Sequence, residues 1–118
     1  MRTLVIIVSL LLTAFGAAGA QAHAFLDHAS PLVGSTVTTA PRELSLWFTQ
    51  NLEAAFSNVE VLDANGNRVD QGKPSISGNT MRVGLKALSP GTYRVRWHAL
   101  SVDTHTTQGS FTFHVGAH

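Results

Sequence analysis

From Leu44 onward the apolar residues of this chain recur at every second position, and that period excludes most of what a chain of this length could become. Leu44, Leu46 and Phe48 alternate with Ser45, Trp47 and Thr49, and Met81, Val83 and Leu85 with Arg82 and Gly84. Tyr93, Val95 and Trp97 alternate with Arg94, Arg96 and His98, and Phe111, Phe113 and Val115 with Thr112 and His114. Successive side chains of a strand point to opposite faces, so each run turns an apolar face to a core and a polar face to water. Turn chemistry separates the runs: Ala40-Pro41, Asn65-Gly66, Gln71-Gly72-Lys73-Pro74, Ser77-Gly78-Asn79 and Ser89-Pro90-Gly91. Asn65-Gly66, between Val59-Glu60-Val61-Leu62 and Arg68-Val69, is the best hairpin candidate. Residues 51–55 allow one short helical turn. Short strands with regular turns and no amphipathic helix predict an all-β fold, a two-layer antiparallel sandwich of about seven strands.

The first residues follow another logic. Arg2, an apolar run over residues 4–15 and the small-residue motif Ala20-Gln21-Ala22 read as a secretory signal peptide, residues 1–22. The run falls short of the roughly 20 residues a membrane-spanning helix needs, so an uncleaved anchor is the weaker reading. Cleavage after Ala22 leaves one domain, residues 23–118, beginning at His23. It also removes Arg2, which takes the formal net charge from +1 to zero. A neutral chain does not have the electrostatic footprint of a nucleic-acid or anionic-membrane binder. The sequence has no cysteine, so neither disulfides nor thiolate metal sites enter. The expectation is an exported monomer held together by its core.

Processing at that point creates a chelating group. A histidine at a free N-terminus presents its α-amine and its ring Nδ1 to the same ion, and the chelate is preorganised. Asp103 and His105, two residues apart in Ser101-Val102-Asp103-Thr104-His105, share one face if that segment is extended. Their segment joins two strands, and connections at the end of a sandwich are where binding residues are displayed. If His23 reaches the same end, three nitrogens and one oxygen meet, which is the tetragonal N,O set suited to one Cu(II) per chain. The amine must lose its proton and the rings must be neutral, so acid should weaken such a site. The competing readings are a frayed terminus for His23 and a polar turn capped by Asp103.

Motifs spread along the chain carry a resemblance. His23-Ala24-Phe25-Leu26 followed by Ser30-Pro31, then Leu46-Trp47-Phe48-Thr49, Phe56-Ser57, the run from Ser89-Pro90-Gly91 through Arg96-Trp97, Ser101-Val102-Asp103-Thr104-His105 and Gly109-Ser110-Phe111 together resemble the CopC family of periplasmic copper-binding proteins. The resemblance implies a cupredoxin-like, Ig-like Greek-key sandwich and a Cu(II) site on His23, Asp103 and His105. It also implies a role in copper sequestration, resistance or delivery to a CopD-type inner-membrane transporter. Two departures stand out. Many members carry a glutamate where this chain has Gln50, which brings no charge. The methionine-rich loop of some members is missing: Met1 leaves with the signal and Met81 lies in a strand, so no soft Cu(I) site is expected.

The other histidines read as surface groups: His28 in an exposed loop, His98 as a possible neighbour of the site, and His114 and His118 without a role. Two rival functions follow from the same residues. A copper-dependent oxygenase also uses an N-terminal histidine, but needs an open axial position and a broad substrate surface, and this chain has few aromatics to build one. A metal-free interaction module is compatible with the fold. No Gly-x-Ser-x-Gly elbow or His-Glu-x-x-His helix points to hydrolysis.

Overall fold

The structure, a computed structural model, describes residues 24–117. Residues 1–22, expected to be a signal peptide, His23 and His118 lie outside the described residues. Eight strands form two four-stranded sheets: β1 (Leu26–Ser30), β2 (Thr36–Val37), β3 (Glu43–Phe48), β4 (Asn58–Leu62), β5 (Asp70–Ser77), β6 (Thr80–Leu85), β7 (Gly91–Leu100) and β8 (Thr106–Val115). One sheet has the order β1-β3-β6-β5 and the other β2-β8-β7-β4. Only the β5–β6 and β7–β8 connections stay within a sheet; every other connection crosses to the opposite layer.

The alternation seen in the sequence is the burial pattern. Leu44, Leu46 and Phe48 of β3 and Met81, Val83 and Leu85 of β6 are buried from one sheet. Tyr93, Val95, Trp97 and Ala99 of β7 and Phe111, Phe113 and Val115 of β8 meet them from the other. Phe48 and Trp97 touch edge to face across the layers, with centroids 5.2 Å apart. The Tyr93 hydroxyl donates to the Ser89 carbonyl at 2.6 Å, which fixes the entry into β7 at Ser89-Pro90-Gly91.

The differences from expectation are local. The pattern gave about seven strands; the eighth is the two-residue β2, too short to show a period, and it pairs parallel to β8. Asn65-Gly66 does form a tight turn, with Gly66 at φ 83° and a Leu62↔Arg68 bridge. Its arms then part, β4 joining one sheet and β5 the other, so the turn is a corner between layers. Gln71-Gly72-Lys73-Pro74, read as a turn, lies inside β5. There Gly72 at φ 72° and a register irregularity between Gln71 and Ser75 absorb the proline on an edge strand. The short helical turn is present as a 3-10 turn at Ala54–Phe56.

The corner after β4 is locked by charge. Asp70 is buried; its Oδ1 accepts the Val61 amide at 2.9 Å and Arg68 Nε at 3.1 Å, and its Oδ2 accepts from the Arg68 guanidinium at 2.6 Å. Burial raises the pKa of the Asp70 carboxyl, but the hydrogen bonds from Arg68 and Val61 and the Arg68 charge outweigh it, and the net shift is downward. A carboxyl with a folded-state pKa below its unfolded value stabilises the fold above the unfolded pKa and loses that contribution as the pH falls through the folded one. Asp70→Ala should therefore cost about 2–3 kcal/mol at neutral pH. In urea melts the gap to wild type should close as the pH is lowered below about 4.

Candidate metal centre

The β7–β8 hairpin is the longest ladder in the molecule, running from Gly91↔Val115 to Leu100↔Thr106. Residues 101–105 form its loop at one end of the sandwich. Backbone bonds tie this loop to the segment after β3. Glu53 N–H donates to Leu100 O at 2.8 Å, Val102 N–H to Asn51 O at 3.1 Å, and Leu52 bridges Ser101. Leu52 N–H in turn donates to Gly78 O, so residues 51–53 sit between the tips of the two hairpins.

Inside the loop the chain turns sharply. Thr104 N–H donates to Ser101 O at 2.9 Å, Ser101 N–H donates to His105 O at 3.0 Å, and Thr104 sits at φ 73°. A β-branched residue with positive φ costs on the order of 1 kcal/mol or more, and it lies between the two candidate ligands. Asp103 and His105 do share one face, with His105 Nδ1 3.6 Å from Asp103 Oδ1. They do so through this turn; the segment is not the extended strand that period-two reasoning assumed. Both side chains are about half exposed, 41% for Asp103 and 50% for His105, and so are open to an ion from solvent. The Ser101 hydroxyl, donating to the Asp103 carboxylate, holds that carboxyl below the usual range; partial desolvation opposes it and the neighbouring His105 assists. Asp103 therefore accepts the hydroxyl of Ser101 as its main partner, with its own backbone amide a lesser one, so the amide capping considered from sequence is present but secondary.

The start of the described chain lies beside this hairpin. Ala24 is fully buried, and its carbonyl accepts the hydroxyl of Thr107, two residues past His105. Phe25 exchanges bonds with Thr49: its N–H donates to Thr49 Oγ1 at 2.9 Å and its carbonyl accepts Thr49 N–H at 2.8 Å. Gln50, half-buried, is the next residue along. Among the described residues no group of three histidine or acidic side chains is close enough to hold a metal. Asp103 and His105 make two, and His23 is outside the described residues.

The remaining histidines are elsewhere. His28 lies in strand β1, not in a loop; its ring stacks on Trp47 with centroids 4.4 Å apart, and its Nδ1 is 2.7 Å from Asp27 Oδ2. His98, paired in register with Gln108, faces outward on β7 and lines an open concavity with Arg94 and Arg96. His114 Nδ1 is 2.9 Å from Thr92 Oγ1 near the far end of the ladder. Sequence reasoning missed Ser101 as a partner of the pair and Thr107 as an anchor for Ala24. Nothing in residue type or spacing singles out either hydroxyl.

The described chain is thus a two-layer β-sandwich that carries an imidazole–carboxylate pair on an end hairpin, with Ala24 secured next to it. Residues 26–116 match the CopC domain family, and the chain belongs to that family. Among solved structures it is similar to CopC from Methylosinus trichosporium OB3b, at 29% identity and TM-score 0.76 over 81% of this chain and 96% of that one. It is also similar to PcoC, a methionine-rich copper resistance protein from Escherichia coli, at 33% identity and TM-score 0.70 over 80% of this chain and 99% of that one. A curated relative is the copper transport protein CutJ of Bacillus subtilis (strain 168), 33% identical over 70 residues. The match covers 59% of this chain but only 13% of CutJ, so this chain corresponds to a small part of that protein.

Proposed function

We propose that this chain is an exported, periplasmic copper-binding protein that holds one Cu(II) on His23, Asp103 and His105 and performs no turnover. His23 supplies its terminal amine and a ring nitrogen, His105 a second ring nitrogen and Asp103 an oxygen, a donor set that suits Cu(II). The observation that carries this reading is the bond from Thr107 to the buried Ala24 carbonyl. It secures the chain one peptide step from His23 and two residues from His105, and consecutive Cα atoms are about 3.8 Å apart. The copper named in the relatives' descriptions, resistance in PcoC and transport in CutJ, supports copper as the cargo. With soft sulfur ligands confined to Met81, which is fully buried in the core, the site favours the oxidised ion. Sequestration, or delivery to a CopD-type membrane transporter, is the use this reading assigns to it.

The test is a competitive Cu(II) titration of the protein starting at His23, beside a version that retains Ala22. Retaining Ala22 converts the His23 amine to an amide and leaves every side chain in place. Affinity should collapse in the longer version. Equal affinity would remove His23 from the site, and weak binding by both would favour a metal-free interaction module.

A further inference from the structure

Ser101 has no exposed surface, although the four residues after it are all exposed. A buried hydroxyl needs partners, and those of Ser101 belong to both members of the Asp-x-His pair. Its Oγ donates to Asp103 Oδ1 and accepts the His105 amide N–H at 3.3 Å. A hydroxyl has one proton. With that proton on Asp103, the His105 carbonyl, 3.2 Å from Oγ, is served instead by the Ser101 amide at 3.0 Å. One residue thus fixes the rotamer of the carboxylate and the backbone of the histidine.

We propose that Ser101 is a positioning residue for the bound metal: by holding Asp103 Oδ1 it fixes the orientation in which the carboxylate meets the ion while the same side chain sets where His105 stands. The inference rests on the copper reading above. Groups that orient metal ligands from behind contribute about 10–100-fold to affinity, because an unheld carboxylate must be ordered when the ion arrives.

The experiment compares Cu(II) affinity, by competitive titration, for wild type, Ser101→Ala, Asp103→Ala, His105→Ala and the Ser101→Ala/Asp103→Ala double variant. Each is exported and verified by mass to begin at His23, and thermal melts of the metal-free proteins confirm folding. Ser101→Ala should lose about 10–100-fold in affinity. In the Asp103→Ala background the same change should cost several-fold less than in wild type, since only the bond to the His105 amide is then left to lose. The Cu(II) EPR spectrum of Ser101→Ala should move toward that of Asp103→Ala, which a general loosening of the loop would not produce. Should Ser101→Ala fail to fold, Ser101→Cys, close in size with a weak donor, gives the same comparison. Wild-type affinity in the serine variant, with Asp103→Ala and His105→Ala both weak, overturns the role of Ser101 alone. So does an equal loss in both backgrounds. Wild-type affinity in Asp103→Ala and His105→Ala overturns the copper reading and this inference together.

Discussion

His105→Ala is expected to weaken Cu(II) binding by more than about 100-fold, because a lost ligand costs more than the 10–100-fold typical of its supporting groups. His114→Ala is the matched control. Both histidines belong to the same β7–β8 hairpin, but His114 pairs with Thr92, whereas His105 lies in the loop just past the Leu100↔Thr106 pair, which is itself eight ladder positions and so about 26 Å away along the strand. His114 Nδ1 is already engaged with Thr92 Oγ1, and its removal should change affinity by less than about 2-fold. A competitive titration of the two variants decides the matter, since a comparable loss from both would remove the hairpin loop from the site. The contrast is informative because the two substitutions delete the same ring from the same hairpin. Only its position differs.

The second large effect concerns stability. Gly109 pairs with Trp97 across the hairpin, and a Cβ at Gly109 would lie 2.7 Å from Cζ2 and 2.9 Å from Cε2 of the indole. The ring has little room to yield, since it is buried and packs edge to face on Phe48 of the opposite sheet. Gly109→Val should therefore cost about 3 kcal/mol or more, at or beyond the upper end of ordinary overpacking. Urea unfolding followed by tryptophan fluorescence would show a lower midpoint. An unchanged midpoint would mean that the indole has an alternative seat. Gly109→Ala should cost less, because its single methyl displaces the ring by a smaller amount.

The glycine illustrates which parts of the molecule were legible in advance. Gly109-Ser110-Phe111 belongs to the motifs that resemble the family, yet in the linear chain Gly109 is one glycine among ten. Its requirement for no side chain exists only because Trp97, twelve residues earlier, is brought over it by the ladder. The strands from Leu44 to Phe48 and from Tyr93 to Trp97, by contrast, could be read directly, since half-buried strands write their burial into alternate positions. The edge elements could not. The two residues of β2 are too few to show a period, and the glycine and proline inside β5 imitate a turn.

The candidate site divides in the same way. That Asp103 and His105 would lie on one face was expected, and their side chains do approach to 3.6 Å. The reason differed, because a turn through Thr104 at positive φ replaces the extended segment. The role of Ser101 depends on a buried hydroxyl reaching forward to Asp103 and His105, and that of Thr107 on a carbonyl 83 residues away in the chain. By itself the sequence determined the all-β class, the two apolar faces and the Asp-x-His pair, because these arise from residue type at short, fixed separations. Only the tertiary structure decided which strands cross between layers, which glycine must remain a glycine and that Thr107 reaches the Ala24 carbonyl, because those depend on contacts between residues that chain order keeps apart.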